Sequence, residues 1–201
     1  MIRGPREVSY LARMARKAGV IAGAHALFLG LPLSAGVVTP PAGCTLLGTP
    51  AGETLKGGQG SDVICGRGGD DLIIGKGGDD RLRGGRGDDM IIGKAGQDTM
   101  FGHRGDDVVR AGPGPDFVWA GPGSDRVAGQ RGKDALHAGG GSDFVRAGQG
   151  SDLADGDKGS DACLNVTDNV EGNDNVVGAS GRDRFEADPG DGRESVERRG
   201  C

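Results

Sequence analysis

The chain has few aromatic residues: 3% of its 201 positions are Phe, Trp or Tyr, with a single Trp and a single Tyr. Glycine is abundant instead, at 43 positions, so an ordinary globule packed around large side chains is excluded and any core must be built by repetition. Across 57–164 no apolar period of 3.6 residues occurs, and with so much glycine a helix is excluded there. Histidine is scarce: His25 lies in an N-terminal apolar run, and His103 and His137 read as solvent-exposed residues on turns or outward positions. Neither a His-Glu-x-x-His nor a Gly-x-Ser-x-Gly motif is present, which leaves enzymatic catalysis without support. The four Cys show neither zinc nor redox spacing.

What is present is one nine-residue phrase, spoken twelve times without a break over 57–164. It begins Gly57-Gly58-Gln59-Gly60-Ser61-Asp62-Val63-Ile64-Cys65. When the following residues are laid beneath it in rows of nine, the sixth column is always Asp: Asp62, Asp71, Asp80, Asp89, Asp98, Asp107, Asp116, Asp125, Asp134, Asp143, Asp152 and Asp161. The fourth column is always Gly, the first is Gly or Ala, and the eighth is always apolar, from Ile64 to Cys163. Glycine in the first half of a phrase permits positive φ, so that half is expected to be a tight turn. The second half is expected to be a short strand whose eighth residue points inward while the seventh and ninth point outward. One inward side chain per phrase cannot form a core alone, so successive phrases must stack.

Bare carboxylates stacked at a strand spacing of roughly 4.8 Å would repel one another, so the sixth column makes sense with cations between them. Aspartate oxygens and turn carbonyls are hard ligands that favour Ca²⁺ over Zn²⁺. The bland alternative is that each Asp caps a turn through its own backbone. Adjacent acidic pairs such as Asp70-Asp71 and Asp79-Asp80 read as a ligand beside a solvated neighbour rather than an acid/base pair.

These columns resemble the repeats-in-toxin (RTX) nonapeptide Gly-Gly-x-Gly-x-Asp-x-U-x of haemolysin-type calcium-binding proteins, U being a large apolar residue. The resemblance implies an all-β, parallel β-roll, a right-handed β-solenoid with two repeats per turn, calcium in the Gly-rich halves and two facing sheets. Asp62, Asp80, Asp98, Asp116, Asp134 and Asp152 would line one edge; Asp71, Asp89, Asp107, Asp125, Asp143 and Asp161 would line the other. Six stacked loops leave gaps for about ten interior ions. The second column departs from the pattern at Arg67, Lys76, Lys94, His103, Gln130 and Asp157, and Pro113, Pro115 and Pro122 enter the turns. The toxin, lipase or protease domain that often accompanies this module in larger proteins is not expected within these 201 residues.

The flanks divide the chain further. Residues 1–36 read as a secretion signal, with Arg3, Arg6, Arg13, Arg16 and Lys17 ahead of an apolar run over 20–33 and the small residues Ser34-Ala35-Gly36. Met14 offers a second start. A retained anchor over 20–38 competes with cleavage, but it is barely long enough and is interrupted by His25 and Pro32. Cys44 after Pro41-Ala42-Gly43 is a poor fit to a lipid-attachment site. Residues 37–56 form an N-terminal segment ending in a degraded phrase over 48–56, with Glu53 in the Asp column; whether Glu53 also ligates an ion stays open. After Leu164 the register slips by four residues, and two further phrases place Asp174 and Asp183 in the acidic column; 165–201 is expected to be a C-terminal cap and tail. Asn165-Val166-Thr167 matches a glycosylation sequon, most simply by chance.

The formal net charge is −5, and becomes −9 once residues 1–36, with five basic side chains and one acidic, are removed. That argues against nucleic-acid or anionic-membrane binding and leaves no membrane association after signal cleavage. Two disulfides are expected in an exported chain, Cys44 with Cys65 and Cys163 with Cys201, among three possible pairings. An alternative function rests on the outward columns. Phe101, Phe117 and Trp119 should adjoin on one sheet, and Leu72, Ile74, Met90 and Ile92 on the other, as a docking face for an extracellular protein or surface, unless the termini cover them. The expectation is thus a secreted calcium-binding β-roll without catalytic activity, repelled and disordered at low cytosolic Ca²⁺ and folded by extracellular Ca²⁺ at roughly 10⁻⁴ to 10⁻³ M affinity. An N-terminal signal points to the general secretory route rather than the one-step toxin exporter.

Overall fold

The structure, a computed structural model, describes residues 43–165, 175–177 and 184–186, all within the unit Thr39–Cys201. The expected signal and its anchor alternative, the Cys163–Cys201 pairing and the tail lie outside the described residues, and the sequon extends beyond them. The described secondary structure is β-strand alone, forming a parallel β-solenoid of about six turns.

Consecutive strands alternate between two sheets, except that Lys158–Gly159 joins the same sheet as the strand before it. The first contains Leu46–Leu47, Val63–Cys65, Arg81–Arg86, Thr99–Arg104, Phe117–Pro122, Ala135–Gly141, Leu153–Asp155 and Asn175–Val177, with Lys158–Gly159 also paired to Ala135–Gly141. The second contains Thr54–Lys56, Leu72–Gly77, Met90–Ala95, Val108–Pro113, Arg126–Arg131, Phe144–Gln149, Ala162–Asn165 and Arg184–Glu186. Partners through the regular array lie 18 residues apart, as in Ile73 with Ile91 and Met100 with Val118. Two phrases therefore complete each coil, and every strand rests on its equivalent one coil away.

The alternation of side chains across a strand sets the core. The eighth column, from Ile64 through Ile73, Leu82, Ile91, Met100, Val109, Val118, Val127, Leu136 and Val145 to Ala154, is buried throughout. The strands are longer than the phrase suggested: Leu72–Gly77 runs from the seventh column into the third of the next phrase. Column one therefore also faces inward, and Ala111, Ala120, Ala138 and Ala147 join the core there. The expectation of a turn through the whole glycine-rich half is corrected to this extent, because cross-coil pairing continues through columns two and three, as at Lys76–Lys94 and Gly77–Ala95.

The second column explains itself in the backbone. All six residues that depart from Gly there hold positive φ: Arg67, Lys76, Lys94, His103, Gln130 and Asp157, at 59–90°. The bend thus needs left-handed geometry whatever the side chain, and each substituted position stores strain of roughly 1–2 kcal/mol. The fourth column is stricter. Gly96 combines φ +136° with a close approach, since a Cβ there would strike the Gly78 carbonyl of the preceding coil.

The ends carry more order than the phrase predicted. Leu46–Leu47 pairs with Ile64 and Cys65, so a half-phrase ahead of residue 48 already forms a rung. The degraded phrase keeps register, with Leu55 buried and paired to Ile73. Cys44 is disulfide-bonded to Cys65, Cα atoms 6.1 Å apart, which ties the first rung to the second. At the other end Leu153 pairs with Asn175, an offset of 22, so the four inserted residues are bypassed and stacking resumes. The phrase 156–164 ends irregularly: Arg146 pairs with Asn165 rather than Leu164, and a bulge falls between Ala162 and Leu164.

Two substitutions separate strain from close approach. Lys94→Gly should raise stability by about 1 kcal/mol by relieving the left-handed backbone. Gly96→Ala should cost about 3 kcal/mol, since strain adds to a clash with backbone that has nowhere to move. Thermal unfolding followed by circular dichroism measures both, and equal losses would contradict this division of roles.

Candidate metal centre

Each sixth-column carboxylate is held between coils by its two oxygens in different ways. Oδ1 accepts a hydrogen bond from the backbone N–H of the sixth-column residue one coil earlier: Asp62 to Asp80, Asp71 to Asp89, Asp80 to Asp98, and onward to Asp143 with Asp161, at 2.7–3.1 Å. Oδ2 is left over. In Asp71, Asp80, Asp89, Asp98, Asp107, Asp116, Asp125, Asp134 and Asp143 it is buried with no hydrogen-bond partner. Buried polar atoms are nearly always satisfied, and nine identical exceptions along two edges form a pattern rather than accidents.

Burial sets the electrostatics. It pushes the carboxyls of Asp80 and Asp89 up to about 6, and those of Asp107, Asp116, Asp125 and Asp134 up to about 7. Asp71, Asp98 and Asp143 are raised for the same leading reason. The backbone N–H bond at Oδ1 opposes the shift, and neighbouring carboxylates add to it, Asp98 and Asp62 acting on Asp80. Both edges therefore disfavour their own ionised form when no cation is present.

The residues fit a hard cation. Beside column one, a carboxylate oxygen and a peptide oxygen converge: a Cβ added to Gly75 would lie against both Asp80 Oδ2 and the Gly93 carbonyl, and one on Gly84 against Asp89 Oδ2 and the Gly102 carbonyl. This all-oxygen set suits Ca²⁺. When bound, calcium would supply two positive charges to carboxylates that the fold has buried.

The two files of Asp that the RTX resemblance implied, each with members 18 residues apart, are linked by these hydrogen bonds through Asp152 and Asp161. The sequence framed each Asp as either a ligand or a cap of its own turn; instead, from Asp71 to Asp143, Oδ1 caps the neighbouring coil while Oδ2 accepts no hydrogen bond. Asp62, at the open end, differs: its Oδ2 accepts Gly58 N–H at 2.6 Å and its Oδ1 meets the Thr45 hydroxyl at 3.4 Å. Glu53 Oε2 closes its own turn on Thr49 N–H at 2.7 Å, while Glu53 N–H still donates to Asp71 Oδ1.

The fifth-column neighbours are more than solvated bystanders. Oδ1 of Asp70, Asp79, Asp88 and Asp106 accepts backbone N–H groups of Asp88, Gln97, Asp106 and Ser124 in the next coil, at 2.7–2.9 Å. Their bonds run opposite to those of column six, so adjacent coils are clamped in both directions. The signal for this second ladder was the Asp-Asp pair itself. On the outer faces, Phe101 pairs with Trp119, which is 44% exposed, and Leu72 and Ile74 pair with Met90 and Ile92, as the columns predicted.

The family model for the RTX calcium-binding nonapeptide repeat, in units of four copies, matches residues 47–82, 74–109, 101–136, 129–163 and 169–192. Those matches span more than half of the chain and include the offset phrases beyond the insertion. No curated protein shows significant similarity to it. With its nonapeptide register, stacked parallel coils and twin files of half-satisfied aspartates, the chain belongs to the RTX calcium-binding nonapeptide repeat family.

Proposed function

We propose that Ca²⁺, held by Asp62, Asp71, Asp80, Asp89, Asp98, Asp107, Asp116, Asp125, Asp134, Asp143, Asp152 and Asp161 with carbonyls of the adjoining turns, drives folding of this roll outside the cell. The observation that carries the reading is the run of buried, unpartnered Oδ2 atoms from Asp71 to Asp143. Unliganded, these carboxylates oppose folding; with calcium between coils they hold it together. The signal-like residues 1–36 support export, and the Cys44–Cys65 disulfide fits an oxidising compartment. The reading contains no catalytic step.

Far-ultraviolet circular dichroism of the full chain, chelated and then titrated with CaCl₂ or MgCl₂, tests it. A cooperative gain of β signal with Ca²⁺ alone is expected. A chain already folded in chelator would mean that the aspartates serve as caps only.

The raised carboxyls fix the sign of the pH dependence. Their folded pKa values, about 6–7, lie above the unfolded value of 3.8, so the cation-free roll is most stable below about pH 4 and loses stability as pH rises through 7. Calcium competes with those protons, so its stabilising effect should grow over the same interval. Unfolding midpoints with and without CaCl₂ should diverge at pH 8 and converge at pH 5. A calcium effect equal at both would contradict ligation by these groups.

A second reading treats calcium as structural and assigns binding to the outer faces, favoured by the exposure of Trp119 and Met90, 44% and 39%. Replacing Phe101 and Trp119 by Ser should then abolish adhesion to a surface or protein partner while leaving the calcium titration unchanged. Retained adhesion would sink this reading.

A further inference from the structure

A second cluster of ligating side chains lies on the first sheet, where His137 and Asp155 stand in the outward ninth column and Asp157 in the bend that follows. His137 and Asp155 are register partners on adjacent strands, and His137 Nδ1 stands 3.8 Å from Asp155 Oδ2, their side chains only 22% and 23% exposed. Two residues on, Asp157 donates its backbone N–H to Asp155 Oδ1 at 3.0 Å, which orients that carboxylate and leaves Oδ2 for the imidazole side. Asp157 Oδ2 is itself buried and without a hydrogen-bond partner. One ligand atom from each of the three residues falls within 4.8 Å of the other two. On its far side the His137 ring stacks on Trp119, centroids 5.4 Å apart and planes 29° from parallel, and Phe117 lies at 5.7 Å. The imidazole is therefore held by aromatic rings while its Nδ1 faces Asp155 and a carboxylate oxygen of Asp157 lies close by.

An ion pair between a protonated His137 and Asp155 accounts for one carboxylate; Asp157 feels the charges of His137 and Lys158, but its buried Oδ2 accepts no hydrogen bond. A metal ion accounts for both. One imidazole nitrogen with two carboxylate oxygens is a mixed donor set that suits borderline transition ions, whereas calcium takes oxygen ligands. We propose that His137, Asp155 and Asp157 form a separate site for a divalent transition-metal ion of the Zn²⁺ class, with its remaining coordination positions open to water. The site is distinct in chemistry from the calcium edges, although Asp157 is near enough to Asp143 to help raise that carboxyl, and it can fail while the calcium reading stands.

Trp119 is the chain's single tryptophan and stacks on the proposed ligand, so it reports directly on occupancy. The full tag-free chain is titrated with NiCl₂ in saturating CaCl₂, with circular dichroism reporting the folded roll. Ni²⁺ should quench Trp119 fluorescence saturably, and diamagnetic Zn²⁺ should compete and restore it. His137→Gln should remove the effect. Asp157→Asn keeps a residue that tolerates positive φ, and should weaken apparent affinity about tenfold or more, a loss already typical when only a ligand's supporting partner is removed. His103→Gln, two strands away in the same sheet, should change nothing. Absence of saturable quenching, quenching that survives both His137→Gln and Asp157→Asn, or quenching lost with His103→Gln would overturn the proposal.

Discussion

The structure depends on how one carboxylate is divided. In each interior coil Oδ1 of the sixth-column Asp accepts a backbone N–H from the coil before, and Oδ2 is buried with no protein donor. The first bond fixes the spacing between coils; the second oxygen is a debt that the protein itself does not settle. A neutral acid could be held at Oδ1 without penalty, but an ionised one could not, which is why burial raises these groups toward neutral pH. A cation resolves the conflict at both edges at once. Membership in the calcium-binding repeat family and the geometry of the edges therefore describe one constraint from two sides.

The remaining columns serve that spacing. Small residues in column one leave room beside Oδ2, where larger side chains would collide, as Gly75 against Asp80 shows. Column two must take left-handed backbone, and the chain accepts Arg, Lys, His, Gln and Asp there at a cost in strain. From Gly69 onward column four allows no side chain, because coil meets coil through main-chain atoms, whereas a Cβ on Gly60 at the open end would meet nothing. The apolar core is thin, a single file from each sheet with a few alanines, so hydrophobic burial orders the coils while the edges hold them together.

The outer faces are freed from the repeat's demands, and there the sequence varies. The first sheet gathers Phe101, Phe117, Trp119 and His137, with stacked or tilted rings 5.4–6.2 Å apart. That row runs into Asp155 and Asp157, so aromatic and ligating groups share one surface. Individual function in a repeat protein belongs in such positions, since a change there leaves the coil geometry untouched.

Much of this was legible in the sequence because the repeat is strict. A period of nine with alternation inside each phrase determines the inward column, and the two repeats per turn implied by the RTX resemblance place Ile73 on Ile91 and Phe101 on Trp119. What the pattern did not encode was backbone geometry at the bends. Strands that continue through columns two and three, the opposed ladder of Asp70, Asp79, Asp88 and Asp106, and the early rung at Leu46–Leu47 arise from contacts between coils 18 residues apart. By itself the sequence determined which residues face the core and that the phrases must stack, and its resemblance to the RTX repeat supplied the 18-residue spacing. Only the tertiary structure decided which oxygen of each aspartate is consumed and that Asp157 closes on His137 and Asp155, because both depend on where a left-handed bend aims a side chain rather than on its place in the period.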